Sequence, residues 1–459
     1  MNEKKPDIGQ QPIRDARALG VPKMLILGLQ HMFAMFGATV LVPILVQSYG
    51  LPLSIQTTLF FAGFGTLFFH FCTKMKVPAF LGSSFAFLGG FAAMGAMNQG
   101  IYAAMDASEK LQYTCGGIVV AGLLYVVLAL IIKAVGVHRV MHYLPPVVTG
   151  PIIILIGLNL APSAVSNAST CWWLALVSIA VIVVANIWGK GMVKIIPILL
   201  GVVIPYVVAL VFRMVDFSGL DVQGLFGGAT PLLGFQPFVT NFGGSIAKFD
   251  ISAILVMAPI AIASMMEHIG DMSAISATVG ENFIEDPGLH RTLIGDGIAT
   301  SLSAIFGGPA NTTYGENTGV LVLSRVHDPK VIRLAAVYAI ILSFSPAFAY
   351  LVNTIPAAII GGVSFILYGM ISAIGVRNVV ENQVDFTNSR NLIIAAVILV
   401  CGLGFTNGLT FTVGGASITL TSLAIAAIAG IVLNAILPGN DFHFGKSATS
   451  DTAASLGRY

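Results

Sequence analysis

The sequence is short of charge. Aspartate, glutamate, lysine and arginine make up 9% of its 459 residues, against about 25% in a soluble globular protein. That shortage excludes a soluble enzyme, a disordered chain and a nucleic-acid binder. Cysteine is scarce as well. Cys72, Cys115, Cys171 and Cys401 lie far apart with no CxxC spacing, so neither a disulfide framework nor a zinc site is indicated, and no cofactor is expected. The polar, basic stretch up to Lys23 contains no short apolar run before a cleavage site. The first apolar segment is therefore expected to stay as a span.

What fills the chain is hydrophobic sequence: 56% of residues, with a mean hydropathy of +0.91. A transmembrane helix needs about 20 mostly apolar residues, so well over ten spans fit. The reading is an all-α polytopic membrane protein with fourteen segments, at 24–47, 53–73, 77–98, 112–135, 142–161, 172–189, 193–213, 250–278, 293–306, 309–324, 331–352, 355–375, 391–406 and 415–437. With a cytoplasmic N-terminus, all but Lys110, Arg213 and Lys248 of the 22 lysines and arginines fall in the inner tails and loops. The positive-inside rule asks for such a bias, and one missed span would scramble it downstream. Both termini are expected inside, in the inner (plasma) membrane.

Three pairs of segments echo each other in order. Gln30-His31 with Met35 resembles Glu267-His268 with Met272; Pro78-Ala79 with Ser83-Ser84-Phe85-Ala86 resembles Pro309-Ala310 with Thr312-Thr313-Tyr314-Gly315; Leu144–Gly150 resembles Ile355–Gly361. Two halves of seven spans each must lie in opposite orientations, an inverted repeat of the kind secondary transporters use. Residues 307–319 carry four glycines, a proline and two asparagines, which a lipid-facing helix does not tolerate. Non-helical backbone at membrane depth must line a cavity or pair internally. The expected partner is the matching stretch Pro78–Phe87, the two extended pieces pairing and each running into a half-helix whose positive end points at a cavity.

Glu267, Asp271, Asp296 and Glu316 fall inside the expected spans. A carboxylate at the centre of a span costs roughly 2.5–3.5 kcal/mol. Glu267 and Asp271 stack on one helix face. No lysine or arginine inside a span stands opposite them; the nearest basic groups are His31 and His268. Such carboxylates want N–H donors, cations or protons, which favours a neutral ligand rich in N–H groups over an anion. Asp296 opens its segment and reads as a cap or a core hydrogen-bonding residue, and His268 reads as structural. Trp172-Trp173 and Trp188 read as interfacial anchors; Glu281–Asp286 reads as a solvated loop.

At these residues the chain resembles the nucleobase–ascorbate transporter (nucleobase:cation symporter-2) family, and within it the uracil-transporting bacterial branch. The resemblance covers nearly the whole chain. It is carried by Gln30–Pro43, Pro78–Phe87, Glu267-His-Ile-Gly270, Asp286-Pro-Gly-Leu-His-Arg291 and Asn311–Val320, the last holding the signature Glu316-Asn317-Thr318-Gly319. It implies fourteen spans in two inverted repeats, with short antiparallel strands in spans 3 and 10. It implies a cytoplasmic tail (1–23), a core domain (24–138 and 250–352), a gate domain (139–249 and 353–437) and a second cytoplasmic tail (438–459). By the same resemblance Glu267 and Glu316 accept ring N–H groups, main-chain groups of Phe85 and Gly315 meet carbonyl oxygens, Phe85 and Tyr314 flank the cavity, and His31, Ser84 and Asn317 support it. Asp271 and Glu267 would couple transport to an ion. A homodimer in lipid and no nucleic-acid partner are expected. Two departures keep alternatives open. Asp271 stands where the uracil branch has histidine, as in purine-transporting relatives, and Ser324 replaces a threonine. Glu316 fits the uracil branch. Uracil with a proton is the first expectation; xanthine or another purine, and sodium, are the second. An anion exchanger of related architecture, a channel and an intramembrane protease fit the residues less well.

Overall fold

In hydrocarbon each peptide group must find its partner within its own segment or an adjoining one, and the long apolar runs accordingly close into helices. The computed structural model describes residues 12–98, 100–215, 217, 246–406, 408–413 and 416–439. Of the expected tails 1–23 and 438–459, residues 1–11 and 440–459 lie outside these residues. In chain order the elements are α1 (Val21–Ser48), α2 (Ile55–Cys72), β1 (Leu81–Ser83), α3 (Leu88–Ala96), α4 (Ala107–Val135), α5 (Val137–Tyr143), α6 (Pro146–Ser169), α7 (Trp172–Ile187), α8 (Met192–Ile195) and α9 (Pro197–Val211). They continue with α10 (Ile251–Met257), α11 (Ile260–Val279), α12 (Leu289–Ile305), β2 (Asn311–Thr313), α13 (Gly315–Ser324), α14 (Pro329–Ser343), α15 (Pro346–Asn353), α16 (Ala357–Glu381), α17 (Ser389–Gly404), β3 (Leu409–Val413), β4 (Ala416–Leu420) and α18 (Ser422–Ile436).

Among the described residues, six helices are long and apolar enough to cross a bilayer: α1, α2, α4, α6, α16 and the run α10–α11; α14 with α15, bent by 87°, makes a seventh. Proline sets the breaks. Pro259 separates α10 from α11, Pro197 opens α9, and Pro346 opens α15 behind the cap Ser345, whose hydroxyl accepts from Phe348 N–H at 3.2 Å. The expected segments at 193–213, 250–278 and 331–352 are thus each two helices. Trp172 and Trp173 begin α7 and Trp188 follows its end, all three exposed.

One expectation needs correcting. The hydropathy of 415–437 points to one helical span, but Ala416–Leu420 is strand β4, paired antiparallel with β3 from Leu409↔Leu420 to Val413↔Ala416, and α18 starts only at Ser422. The cause is local. Leu409-Thr-Phe-Thr-Val413 and Ala416-Ser-Ile-Thr-Leu420 alternate in polarity around a Gly-Gly pair, a pattern for a hairpin and not for a helix.

The two broken segments fold as strand followed by helix. β1 pairs antiparallel with β2, Leu81↔Thr313, Gly82↔Thr312 and Ser83↔Asn311. The ladder extends through Ser84 N–H to the Ala310 carbonyl at 2.8 Å and Tyr314 N–H to the Phe80 carbonyl at 2.9 Å. A lone two-stranded ribbon leaves two open edges, and helices close both with a threonine. Thr66 on α2 accepts from Leu81 N–H at 2.9 Å and donates to the Ala62 carbonyl at 2.7 Å. Thr300 on α12 accepts from Asn311 N–H at 3.0 Å and donates to the Asn311 carbonyl at 3.1 Å. Both threonines are buried, so water does not replace them.

The largest helix pairing joins α6 to α16, where a Cβ on Gly157 would stand 2.2 Å from the Tyr368 carbonyl oxygen. Only a bare α-carbon lets the two helices approach so closely. At one end of the molecule the segment before α1 is tied down: Ile13 bridges Val326, and the Asp328 carboxylate accepts from Ala16 N–H at 2.8 Å. Arg14 pairs with Glu281 and Lys76 with Asp286, both acids exposed in the segment between α11 and α12.

Candidate functional site

The site is built where the ribbon meets α11, α6 and α16. Strand β2 delivers Thr312 and Thr313, and α13 then begins at Gly315 with its first N–H groups unbonded within the helix. α11 runs past this junction and presents Glu267 and, one turn on, Asp271. Together these residues, with Phe85, Tyr314, Ile153 of α6 and Ile371 and Ile374 of α16, line a small, partly open cavity. The wall is therefore two-faced. One side is carboxyl groups, threonines and backbone; the other is isoleucine. Among the described residues, no lysine or arginine belongs to the lining.

Tyr314 is fixed more firmly than an ordinary wall residue. Its ring lies across β1, so close to Gly82 that a Cβ there would meet ring carbons at 2.3 Å. Its hydroxyl donates to the Ser83 carbonyl at 3.0 Å, and Ser83 Oγ, 3.2 Å from the same hydroxyl, donates to the Thr39 carbonyl of α1 at 2.9 Å. Phe85 meets the ring of Tyr368 edge-on, with centroids 5.8 Å apart. Thr313 Oγ1 donates to Asp271 Oδ2 at 2.8 Å, both residues buried.

Of the residues singled out in the sequence, Glu267, Asp271, Phe85, Tyr314 and Gly315 line the cavity. Ser84, His31 and Asn317 stand behind it. Ser84 Oγ lies 3.4 Å from Ser264 Oγ on α11. Asn317 donates from Nδ2 to the His31 carbonyl at 3.1 Å, with His31 Nδ1 3.3 Å away, which anchors α13 to α1. The backbone of Glu316 is the second residue of α13; its side chain lies outside the described residues. Asp296 is not a helix-opening cap, because α12 begins at Leu289 and carries Asp296 in its middle. It faces His268 of α11, Oδ2 to Nδ1 at 2.9 Å, with both side chains fully buried. The pair fastens α11 to α12. Among the described residues no three histidine, cysteine or acidic side chains gather as metal ligands do.

Three lining residues escaped the sequence reading: Ile153, Ile371 and Ile374. Each is one apolar side chain in an apolar helix, and nothing in composition or spacing separates it from a lipid-facing neighbour. Thr312 and Thr313 lay in the segment that was read as broken, where their position in a strand was the available signal.

Comparison with known proteins agrees with this architecture. Residues 22–411 match the family described as "Permease family" (Xan_ur_permease). The uracil permease of Bacillus caldolyticus is 41% identical over 448 residues, covering 96% of each chain. The uracil permease of Bacillus subtilis (strain 168) is 40% identical over 424 residues, covering 89% of this chain and 91% of its own. Among solved structures, the transmembrane domain of a cyanobacterium bicarbonate transporter, BicA, superposes with a TM-score of 0.58 at 14% identity, covering 92% of this chain and 99% of that one. This last likeness concerns the fold alone.

Proposed function

This chain belongs to the permease family, the nucleobase:cation symporter-2 proteins its motifs resemble, and we propose from that premise that it takes up uracil by proton symport. It is a multi-pass membrane protein and a carrier, not an enzyme. The observation that carries the reading is the cavity wall: Glu267 and Asp271 on one face of α11, closed by β2 and the start of α13, with no lysine or arginine among the described lining residues. Carboxylates on a wall with no cation among its described residues favour a neutral ligand that donates N–H groups over an anion. Uracil has two such groups and a flat apolar ring for the isoleucine side. The similarity to uracil permeases over nearly the whole chain supports the same cargo.

In this reading Glu267 and Glu316 accept the ring N–H groups, main-chain groups of Phe85 and Gly315 meet the ring carbonyls, and Phe85 and Tyr314 flank the base. Ser84, His31 and Asn317 hold those residues in place. A proton on one of Glu267 and Asp271 removes the penalty of two adjacent buried charges, which lets the loaded site face either side of the membrane. The core (24–138 and 250–352) then moves against the gate (139–249 and 353–437), and the proton leaves to the cytoplasm. Fourteen spans in two inverted repeats, with both termini cytoplasmic in the plasma membrane of a homodimer, complete the proposal. The two threonine-closed edges of the ribbon, one from each half of the chain, support the repeat.

A second reading rests on Asp271, which the resemblance associates with purine carriers: a xanthine or broader nucleobase symporter, with sodium as the coupling ion. Uptake of radiolabelled uracil into cells separates them. Uracil uptake abolished by a protonophore, untouched by excess xanthine and lost in Glu316→Gln is the expected outcome. Full uptake in Glu316→Gln ends the assignment of that glutamate. Competition by xanthine, or uptake that follows sodium and ignores the protonophore, replaces the first reading with the second.

A further inference from the structure

The proposed mechanism gives Asp271 a proton to carry but no means of passing that event to the cargo. The geometry provides one. Thr313 closes β2, and its hydroxyl donates to Asp271 Oδ2 at 2.8 Å. The other carboxyl oxygen, Oδ1, lies 3.7 Å from where a Cβ on Gly315 would stand. The Asp271 carboxyl therefore spans the junction between strand and helix, reaching across Tyr314 from the last residue of β2 to the first of α13. Thr313, Tyr314 and Gly315 all line the cavity.

We infer that Thr313 is a positioning residue that ties the Asp271 carboxyl to the β2–α13 junction, so that loading and unloading of the proton is felt where the cargo sits. A hydroxyl suits the task as few groups do. It donates to an ionised carboxylate and accepts from a protonated one, so the link persists in both states while its direction reverses. An ionised Asp271 also lies at the positive end of α13, an attraction lost when the proton arrives. Charge on Asp271 thus holds the junction down and neutralisation frees it. The other titratable groups on the described lining are Glu267, one turn away on α11, and Tyr314, whose hydroxyl donates to the Ser83 carbonyl; Glu316 follows Gly315 in the chain; α6 and α16 contribute only isoleucines. The inference rests on the reading of Asp271 as a coupling residue.

The test uses purified full-length protein in proteoliposomes and compares two rates in each variant: uracil accumulation driven by an imposed pH gradient, and uracil exchange at equal pH. Their ratio reports coupling and is insensitive to the amount of folded protein. Asp271→Asn and Thr313→Val are expected to lower the ratio at least fivefold each, the double variant to lower it no further, and Thr313→Ser to stay within twofold of the parent. Thr313→Ala serves if the valine variant does not fold. A normal ratio in Thr313→Val and Thr313→Ala beside a collapsed one in Asp271→Asn overturns the inference and leaves the reading of Asp271 intact. Losses that multiply in the double variant also overturn it, because two residues acting through one link do not add. A normal ratio in Asp271→Asn removes Asp271 from coupling and takes the inference with it.

Discussion

Replacing Thr300 by valine keeps the shape of the side chain and deletes one hydroxyl. That hydroxyl accepts from Asn311 N–H at 3.0 Å and donates to the Asn311 carbonyl at 3.1 Å. Thr300 and Asn311 are each 1% exposed, so no water takes over and both backbone groups are stranded. A buried polar group left without a partner costs about 1–3 kcal/mol. Two endings are possible for the molecule. If β2 holds its place, the cost appears as lower stability. If β2 shifts to find another partner, the cavity wall moves and the same energy appears as weaker uracil binding, roughly 5- to 150-fold. Thermal unfolding of the purified protein in detergent, with and without uracil, together with calorimetric titration of uracil, measures both. Thr300→Ser should match the parent. Thr66→Val should reproduce the effect, because Thr66 treats Leu81 N–H at the opposite edge in the same way. If Thr300→Val unfolds at the parent temperature and binds uracil within twofold, the hydroxyl is not the edge partner and the account of how the ribbon survives in the membrane is wrong.

Gly82→Ala pushes a methyl into the Tyr314 ring, and overpacking of this kind costs about 1–3 kcal/mol; uracil uptake should fall about tenfold or more at unchanged expression, and normal uptake would place the ring elsewhere. Either Asp296→Leu or His268→Leu alone leaves a buried ionisable partner, a loss on the order of 3–5 kcal/mol, while the paired double replacement should return the unfolding temperature most of the way to the parent value. In the loop after α11, Lys76 beside Asp286 holds that carboxyl below the usual carboxylate range. A depressed folded-state value gives a contribution present above the unfolded value, about 4, and lost as pH falls through the folded one. Stability followed from pH 6 downward should show a small acid-side decline that Lys76→Met flattens; an unchanged decline would assign it to other carboxylates.

Much of the fold was legible in the sequence because the bilayer leaves few choices. A run of apolar residues with no breaker becomes a helix, and Gly-Gly-Pro-Ala-Asn-Thr-Thr-Tyr-Gly at 307–315 had to be something else. Glu267, Asp271 and Gly315 could be placed at a cavity because carboxylates and glycines at membrane depth need a reason to be there. Ile153, Ile371 and Ile374 could not, because an isoleucine in an apolar helix is equally at home against lipid, a neighbour or a cargo. Thr66 and Thr300 were invisible for a related cause: a threonine in a helix usually bonds its own preceding turn, as Thr66 also does with Ala62, and only the arrival of a distant strand makes it an edge closer. The β3–β4 hairpin is hidden in mean hydropathy, because Leu409–Val413 and Ala416–Leu420 are as apolar as a short span and only their alternation marks them as strands.

The ribbon also dictates a problem of timing. Ser83 precedes its neighbour Tyr314 by 231 residues. At a synthesis rate of about 5–20 residues per second, the first strand is made well before the second leaves the ribosome. For that interval its peptide groups lie at membrane depth with one side satisfied by Thr66 and the other by nothing in the nascent chain. Biogenesis therefore has to shelter a half-finished strand, whether in the insertion channel, against a chaperone or in trapped water. Truncated chains ending before Asn311 are the form in which that exposed edge would be captured.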